Sequence, residues 1–542
     1  MKKLKFILLM FLVSPGVLAQ EIAPGIYWVY FKDKEGNTYQ IDRPEEFLSE
    51  RSVNRRAMQS LGVDGRDLPV SQLYLQEIKA MGIEIRHVSR WLNGIAMINM
   101  DESTFQEVLQ KSFTDTLSWS PVTNDIYFPP KSGESRFDPP LSPAPEFDYG
   151  LAREQTEMVR TDGLHALGYT ASGVWIAVLD AGFLNVDSVP SLAGLIDEGR
   201  ILGIRNYVDT TNIYRLESSH GMSVLSIMAG QWEGNLVGTA PHANYLLCST
   251  ENSGQETRIE EIAWIEAAEY ADSLGVDVIN TSLGYSNFDG EAFDYTYRDM
   301  DGKSTYIARA ASLTASRGMI LCTSAGNEGN APWYYITSPA DASDILSVGA
   351  VDSTNLVASF SSRGPSYDAR IKPDITAMGN RTAIQYRGGT IGRGNGTSFA
   401  SPVMAGSVAS LWQAFPELPA LELLYKIRQS SHRNMNPDVN YGFGTPNMLY
   451  AYHTITRVPE GLTPGKMEIW PNPASVRIMI RIPEEESGQS LVRIYDMNGK
   501  QAVSMQMDLP GEMELKESLS SGIYIIEVRT RRNIYRSRLL KQ

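Results

Sequence analysis

Three stretches of the chain carry three different rhythms of apolar and polar residues. In residues 20–128, short strand-like runs alternate with helical periods. Ile26–Lys32 (IYWVYFK) is aromatic and β-branched, as a strand is; Ser71–Met81 places Leu73, Leu75, Ile78 and Met81 at helical spacing, with a serine at its start and Gly82 past its end. Strand-like Ile83–Val88, a turn at Asn93-Gly94, strand-like Ile95–Met100, a helix Glu102–Lys111 capped by Asp101, and a last strand at Leu117–Val122 follow. The order β-α-β-β-α-β predicts a ferredoxin-like α+β unit.

Residues 151–457 change the rhythm to continuous apolar runs separated by helical stretches. The runs are Val174–Leu179, Tyr245–Cys248, Val276–Asn280, Met319–Cys322 and Ile345–Ala350. A strand apolar on both faces is buried on both faces, which predicts a doubly wound α/β domain with a mostly parallel sheet. Chemistry in such sheets sits at the carboxyl ends of the strands. Residues 466–542 alternate again, through Val476–Ile482, Leu491–Tyr495 and Ile523–Val528 with turns at Asn498-Gly499 and Ser521-Gly522, and predict a β-sandwich. Between the first two regions, residues 129–150 are rich in proline, serine and glycine and read as an extended, protease-accessible linker.

The first 19 residues have a different purpose. Lys2, Lys3 and Lys5 precede the apolar run Phe6–Val13, and Val17-Leu18-Ala19 supplies the small residues of a signal-peptidase site. That run is too short to span a bilayer, which takes roughly 20 residues, and no later stretch has that length. The mature protein therefore leaves the cytoplasm. With 48 basic against 63 acidic residues, a net charge of −15, the chain lacks the excess lysine and arginine that meets nucleic-acid phosphate. Two cysteines, Cys248 and Cys322, cannot build a disulfide scaffold.

Three residues stand where chemistry needs them. Asp180 ends the first buried run; by itself it reads rather as a helix or turn cap than as a catalytic group. His220, one of six histidines, opens a helix of small and apolar residues after a Ser/Gly entry. Ser398 lies in a Gly-rich turn (GRGNGTSFASPVMAG) that opens another helix, where an N-cap is the commoner role. A serine hydroxyl becomes a nucleophile when a base takes its proton, and the histidine needs a carboxylate to fix its tautomer. The chain order Asp–His–Ser on an α/β sheet differs from that of α/β-hydrolases, whose GxSxG elbow is absent, and from that of the all-β chymotrypsin type.

With these residues in place, the chain resembles the subtilisin-like serine peptidases over roughly residues 165–450. LDAGF, SHGMSV and GTSFASPVMAG resemble the family's three catalytic motifs, and KPDI (Lys372–Ile375) and SFSSRGP (Ser359–Pro365) also fit it. GVDVINTSLGY resembles the segment whose Ser282-Leu283-Gly284 backbone pairs with substrate; CTSAGNEG resembles the oxyanion segment, making Asn327 the side-chain donor and Ala325-Gly326 part of the substrate cleft. The resemblance implies a secreted serine endopeptidase acting through an acyl-enzyme on polypeptide substrates. It further implies a propeptide in residues 20–128 that inhibits the enzyme from within its own chain until it is cut away. The motifs WPNPAS, IYDMNGK and SSGIYIIEV resemble the type A sorting domain of type IX secretion, implying export to the outer cell surface or beyond through the secretion machinery.

Met222 stands where the family often has threonine, and Gly230–Gly238 lacks the Asn-rich calcium loop of familiar members. No cofactor is required and no metal site is assigned; the acidic cluster Asp294, Asp299 and Asp301 reads as a solvated loop that could take a structural calcium. If sheet order follows the family, Cys248 and Cys322 are two buried thiols. Glu328 after Asn327, and twelve acidic against two basic residues in Glu251–Met300, suggest tolerance of basic residues near the scissile bond. The rival reading is an inactive binding or adhesion protein on the same scaffold. An esterase with the same triad is a third.

Overall fold

The computed structural model describes residues 21–115, 126–131, 135–456, 467–482, 486–496, 501–515, 519–530 and 534–541. The leader, the strand expected at Leu117–Val122 and the turn Asn498-Gly499 lie outside the described residues. The chain divides into two compact units, Met1–Thr454 and Ile455–Gln542.

At the start of the first unit, strand Ile26–Phe31 is central. It pairs antiparallel with Gly94–Ile98, which pairs with Glu84–Ser89; Glu21–Ala23 and Thr114–Asp115 pair with its other edge. Helices Gln72–Ala80 and Glu102–Leu109 connect these strands in the expected order. Side chains of the central strand alternate between two apolar environments. Tyr27, Val29 and Phe31 pack with Ile78, Phe105 and Val108 of the domain's own helices, whereas Trp28 and Tyr30 join Trp264, Ile265 and Ile307 of the following domain. That double burial is why the strand has no polar face. Asp101 caps its helix through the Thr104 N–H, but the Ser71 hydroxyl donates to the Glu35 carbonyl instead of capping. Helix Glu50–Met58 was not legible in the apolar pattern, because its buried face carries Arg55 and Arg56.

The next domain is built on seven parallel strands. Across the sheet the order is Ile375–Met378, Leu346–Val351, Ile320–Ser324, Val278–Thr281, Trp175–Asp180, Asn244–Ser249 and Ile201–Asn206. The two edge strands were missed from the sequence: Ile201–Asn206 is half-exposed and short of apolar residues, and Ile375–Met378 directly follows the polar KPD stretch. Cys248 and Cys322 are free and buried on strands separated by two others.

Residues 135–141 correct the expected linker. Phe137 packs edge-on against Trp412 at 6.0 Å, and Arg136 lies over both rings with its guanidinium 2.7 Å from Asp277. Gln413 donates to the carbonyls of Asp138 and Pro139, and the Leu141 N–H bonds Gly168. Proline content suggests a tether, yet an arginine and an aromatic between the prolines dock this segment on the α/β domain.

The second unit has two antiparallel sheets. Glu468–Trp470, Arg477–Arg481 and Gly511–Glu514 form one; Gly488–Asp496, Gln501–Leu509, Gly522–Arg529 and Ile534–Lys541 form the other. Ile478 and Ile480 of the first and Val492, Ile494, Ile526 and Val528 of the second share one core.

Candidate active site

Asp180, His220, Asn327 and Ser398 sit on elements whose ends meet at the carboxyl edge of the sheet. Asp180 is the last residue of the interior strand Trp175–Asp180 and is fully buried. Its Oδ1 lies 2.7 Å from His220 Nδ1 and also accepts the Ala181 N–H at 2.8 Å. His220 opens helix His220–Ala229, with its ring partly accessible. Burial alone would lower its pKa, but the charge of Asp180 and the hydrogen bond to it outweigh burial and raise it. A carboxylate at Nδ1 leaves Nε2 as the nitrogen able to take a proton from a neighbour.

Ser398 is the second residue of helix Thr397–Gln413, and the ring of Phe399 beside it lies 5.9 Å from the His220 ring. Ser398 Oγ donates to the Ser282 carbonyl at 3.2 Å rather than to His220. In return, Ser282 Oγ donates to the Ser398 carbonyl at 2.8 Å. The helix explains that second bond: Pro402, four residues on, has no N–H to give Ser398 its helical partner. Asn280 Nδ2 donates to Ser282 Oγ at 3.2 Å, and its Oδ1 accepts from Ser401 at 2.8 Å. This buried chain, absent from the sequence reading, ties the serine helix to the Ser282–Gly284 segment.

Asn327 follows the glycine turn at Gly326, whose φ of +105° suits glycine. The Thr397 backbone N–H and hydroxyl hold its Oδ1 at 2.9 and 3.0 Å. A backbone N–H can only donate, so the amide orientation is fixed and Nδ2 points to the other side. Leu283 accepts from Ser324 at 3.3 Å, and the Ala325 carbonyl accepts the Thr337 N–H, so the two expected substrate segments run side by side. Gly284 is exposed.

Next to these segments opens a cavity of about 490 Å³ lined by Glu256, Gly284, Ser286, Asn287, Glu328, Pro332 and Trp333. Carboxylate oxygens of Glu251, Glu256 and Glu260 lie within 4.8 Å of one another, and the Tyr285 hydroxyl donates to Glu251. Burial pushes Glu256 up to about 7 and Glu260 to about 8. Asp294, Asp299 and Asp301, by contrast, each accept backbone N–H groups of nearby residues: Phe288, Thr296, and Lys303 with Ser304.

The N-terminal domain covers the helix Ile259–Leu274. Asp272 on that helix is fully buried and accepts from Arg55, Arg56 and Arg90, the last two at 2.8 and 2.7 Å. Glu269 accepts from the Ser89 hydroxyl and the backbone of Arg90 and Trp91, and Glu266 pairs with His87 at 2.7 Å. Arg51 shares Asp277 with Arg136.

Comparison with known proteins adds three matches. Residues 171–445 match the family model described as Subtilase family, residues 26–134 that of the Peptidase S8 propeptide domain of Bacteroidota, and residues 468–542 that of the secretion system C-terminal sorting domain. Subtilisin E of Bacillus subtilis (strain 168) is 30% identical over 308 residues, spanning 56% of this chain and 70% of that protein. Subtilisin of Bacillus pumilus is 31% identical over 311 residues, 56% of this chain and 98% of that protein. Serine protease AprX of Bacillus subtilis (strain 168) is 30% identical over 313 residues, 51% of this chain and 66% of that protein. The sorting domain makes this a secreted or cell-surface protein.

Proposed function

This chain belongs to the subtilase family of serine peptidases, and from that premise we propose that it is a secreted endopeptidase made as a zymogen, with Asp180, His220 and Ser398 as its triad. The observation that carries the reading is the His220 ring, paired with buried Asp180 at 2.7 Å on one side and facing the start of the Ser398 helix on the other.

A polypeptide lies extended along Ser282–Gly284 and adds a strand by main-chain hydrogen bonds. Ser398 Oγ leaves the Ser282 carbonyl, gives its proton to His220 Nε2 and attacks the substrate carbonyl carbon. Catalytic hydrogen bonds of this kind are often long or unformed without substrate and tighten with it. The negative oxygen of the tetrahedral intermediate takes hydrogen bonds from Asn327 Nδ2 and the Ser398 N–H. His220 then protonates the leaving amine, and water, deprotonated by the same nitrogen, hydrolyses the acyl-enzyme. Asp180 holds the ring and stabilises its charged form throughout. The N-terminal domain, seated on helix Ile259–Leu274 by buried ion pairs, acts as the chain's own inhibitor, and the C-terminal unit engages the secretion machinery.

The test is expression of the full chain beside Ser398→Ala, following casein cleavage and the protein's own size with time. Self-trimming and casein digestion by the wild type alone are the expected result. Casein intact in both, even after an added protease clips the chain between residues 116 and 134, would turn the reading toward a binding protein.

A further inference from the structure

The cavity beside Gly284 has a composition that selects its occupant. Of its lining residues two are acidic, Glu256 and Glu328, and none is basic. The two carboxylates come from separate loops, one after strand Asn244–Ser249 and one after Asn327. Trp333 and Pro332 supply an apolar wall, and the Trp333 indole N–H is already engaged by the Ile336 carbonyl at 3.1 Å, so only the ring is offered to an occupant.

We propose that this cavity receives a lysine or arginine side chain of the substrate, at the residue whose carbonyl Ser398 attacks, with Glu256 and Glu328 meeting its charge. The volume of about 490 Å³ falls in the ordinary range for a ligand pocket, roughly 300–1,000 Å³, and exceeds what one aliphatic side chain needs. The long methylene stem of either residue lies along Trp333 while its charged tip reaches the carboxylates. This inference rests on the peptidase reading above.

The test uses the full chain after its own processing, with peptides identical except for Arg, Lys, Gln, Leu, Phe or Glu at that one position. The expected result is kcat/KM for Arg and Lys at least about tenfold above Leu, with Glu poorest, a difference of the size one well-placed charge pair gives. In Glu328→Gln and Glu256→Gln, the loss on Arg and Lys peptides should exceed the loss on the Leu peptide by roughly 5–30-fold, mainly through KM. Preference for Leu or Phe in the wild type overturns the proposal without need of any variant. Equal losses on all peptides in a folded variant overturn the role of that glutamate. If the processed enzyme cleaves neither casein nor any peptide, the peptidase reading falls and takes this one with it; if it digests casein without basic preference, only this one falls.

Discussion

Asn327 accepts the Thr397 N–H at 2.9 Å through its side-chain carbonyl, and that one bond decides which way its amide nitrogen faces. The amide nitrogen, the proposed oxyanion donor, is thus aimed by the residue before Ser398. Asn327→Ala should lower kcat by about 10²–10³ with KM little moved, the size seen on removing such a donor from a peptidase of this same family. Thr397→Val keeps the backbone bond and should lose far less. A steady-state comparison of the two variants decides it: equal losses would mean that the side chain of Asn327 does not meet the oxyanion.

With His220 as the proposed base, its pairing with Asp180 should set a pH limb. The base works only when neutral, and Asp180 raises the pKa of the ring above its ordinary value near 6.5, so kcat/KM should climb with pH through an apparent pKa above about 6.5. In Asp180→Asn the raising charge is gone and burial is left, so the limb should move to lower pH while the rate falls roughly 10⁴-fold. Rate profiles from pH 5 to 9 give both quantities. A limb that stays in place in the variant would assign it to another group.

Ser282 replaces the hydrogen bond that Pro402 denies to the Ser398 carbonyl. Ser282→Ala should leave a buried carbonyl unmet, costing about 1–3 kcal/mol, and should lower kcat as the nucleophile loses its anchor. Pro402→Ala returns an N–H to that carbonyl, so the stability cost of Ser282→Ala should shrink in its presence. Thermal unfolding of the four combinations in a Ser398→Ala background measures this coupling; additive effects would sink it.

Asp272 gathers three arginines of the N-terminal domain. Breaking a buried pair of this kind costs about 3–5 kcal/mol, so Asp272→Asn should speed loss of the cleaved domain by roughly 10²–10⁴-fold. Size-exclusion of the processed chain over time reads it out, and unchanged retention would mean that the apolar contacts around Trp28 and Tyr30 hold the domain by themselves.

What the sequence disclosed follows from which forces leave a periodic trace. Five central strands and both α+β helices stood out because apolar side chains line their buried faces. Helix Glu50–Met58 did not, because Arg55 and Arg56 are buried by charge pairing with a residue some 220 positions away, which no local pattern reports. The edge strand Ile201–Asn206 is half-exposed and lacks the apolar run. In the site, Asp180, His220, Asn327 and Ser398 were legible as motifs. Asn280 and Thr397 were not singled out although they stand in the same motifs, since their part lies in hydrogen bonds that only the fold displays.

The two aspartates under the N-terminal domain meet different fates when that domain departs. Asp277 gives up Arg51 but keeps Arg136, which belongs to the segment docked on Trp412 and stays behind if the cut falls before residue 135. Asp272 gives up every arginine it holds, and Glu266 and Glu269 lose their partners with it. The uncovered helix then presents a row of carboxylates to water, while the freed domain carries the matching guanidinium groups. Rebinding then becomes a meeting of opposite charges screened over about 8 Å at physiological ionic strength and over roughly 3 Å at 1 M salt, so raising the salt should slow the return of the released domain.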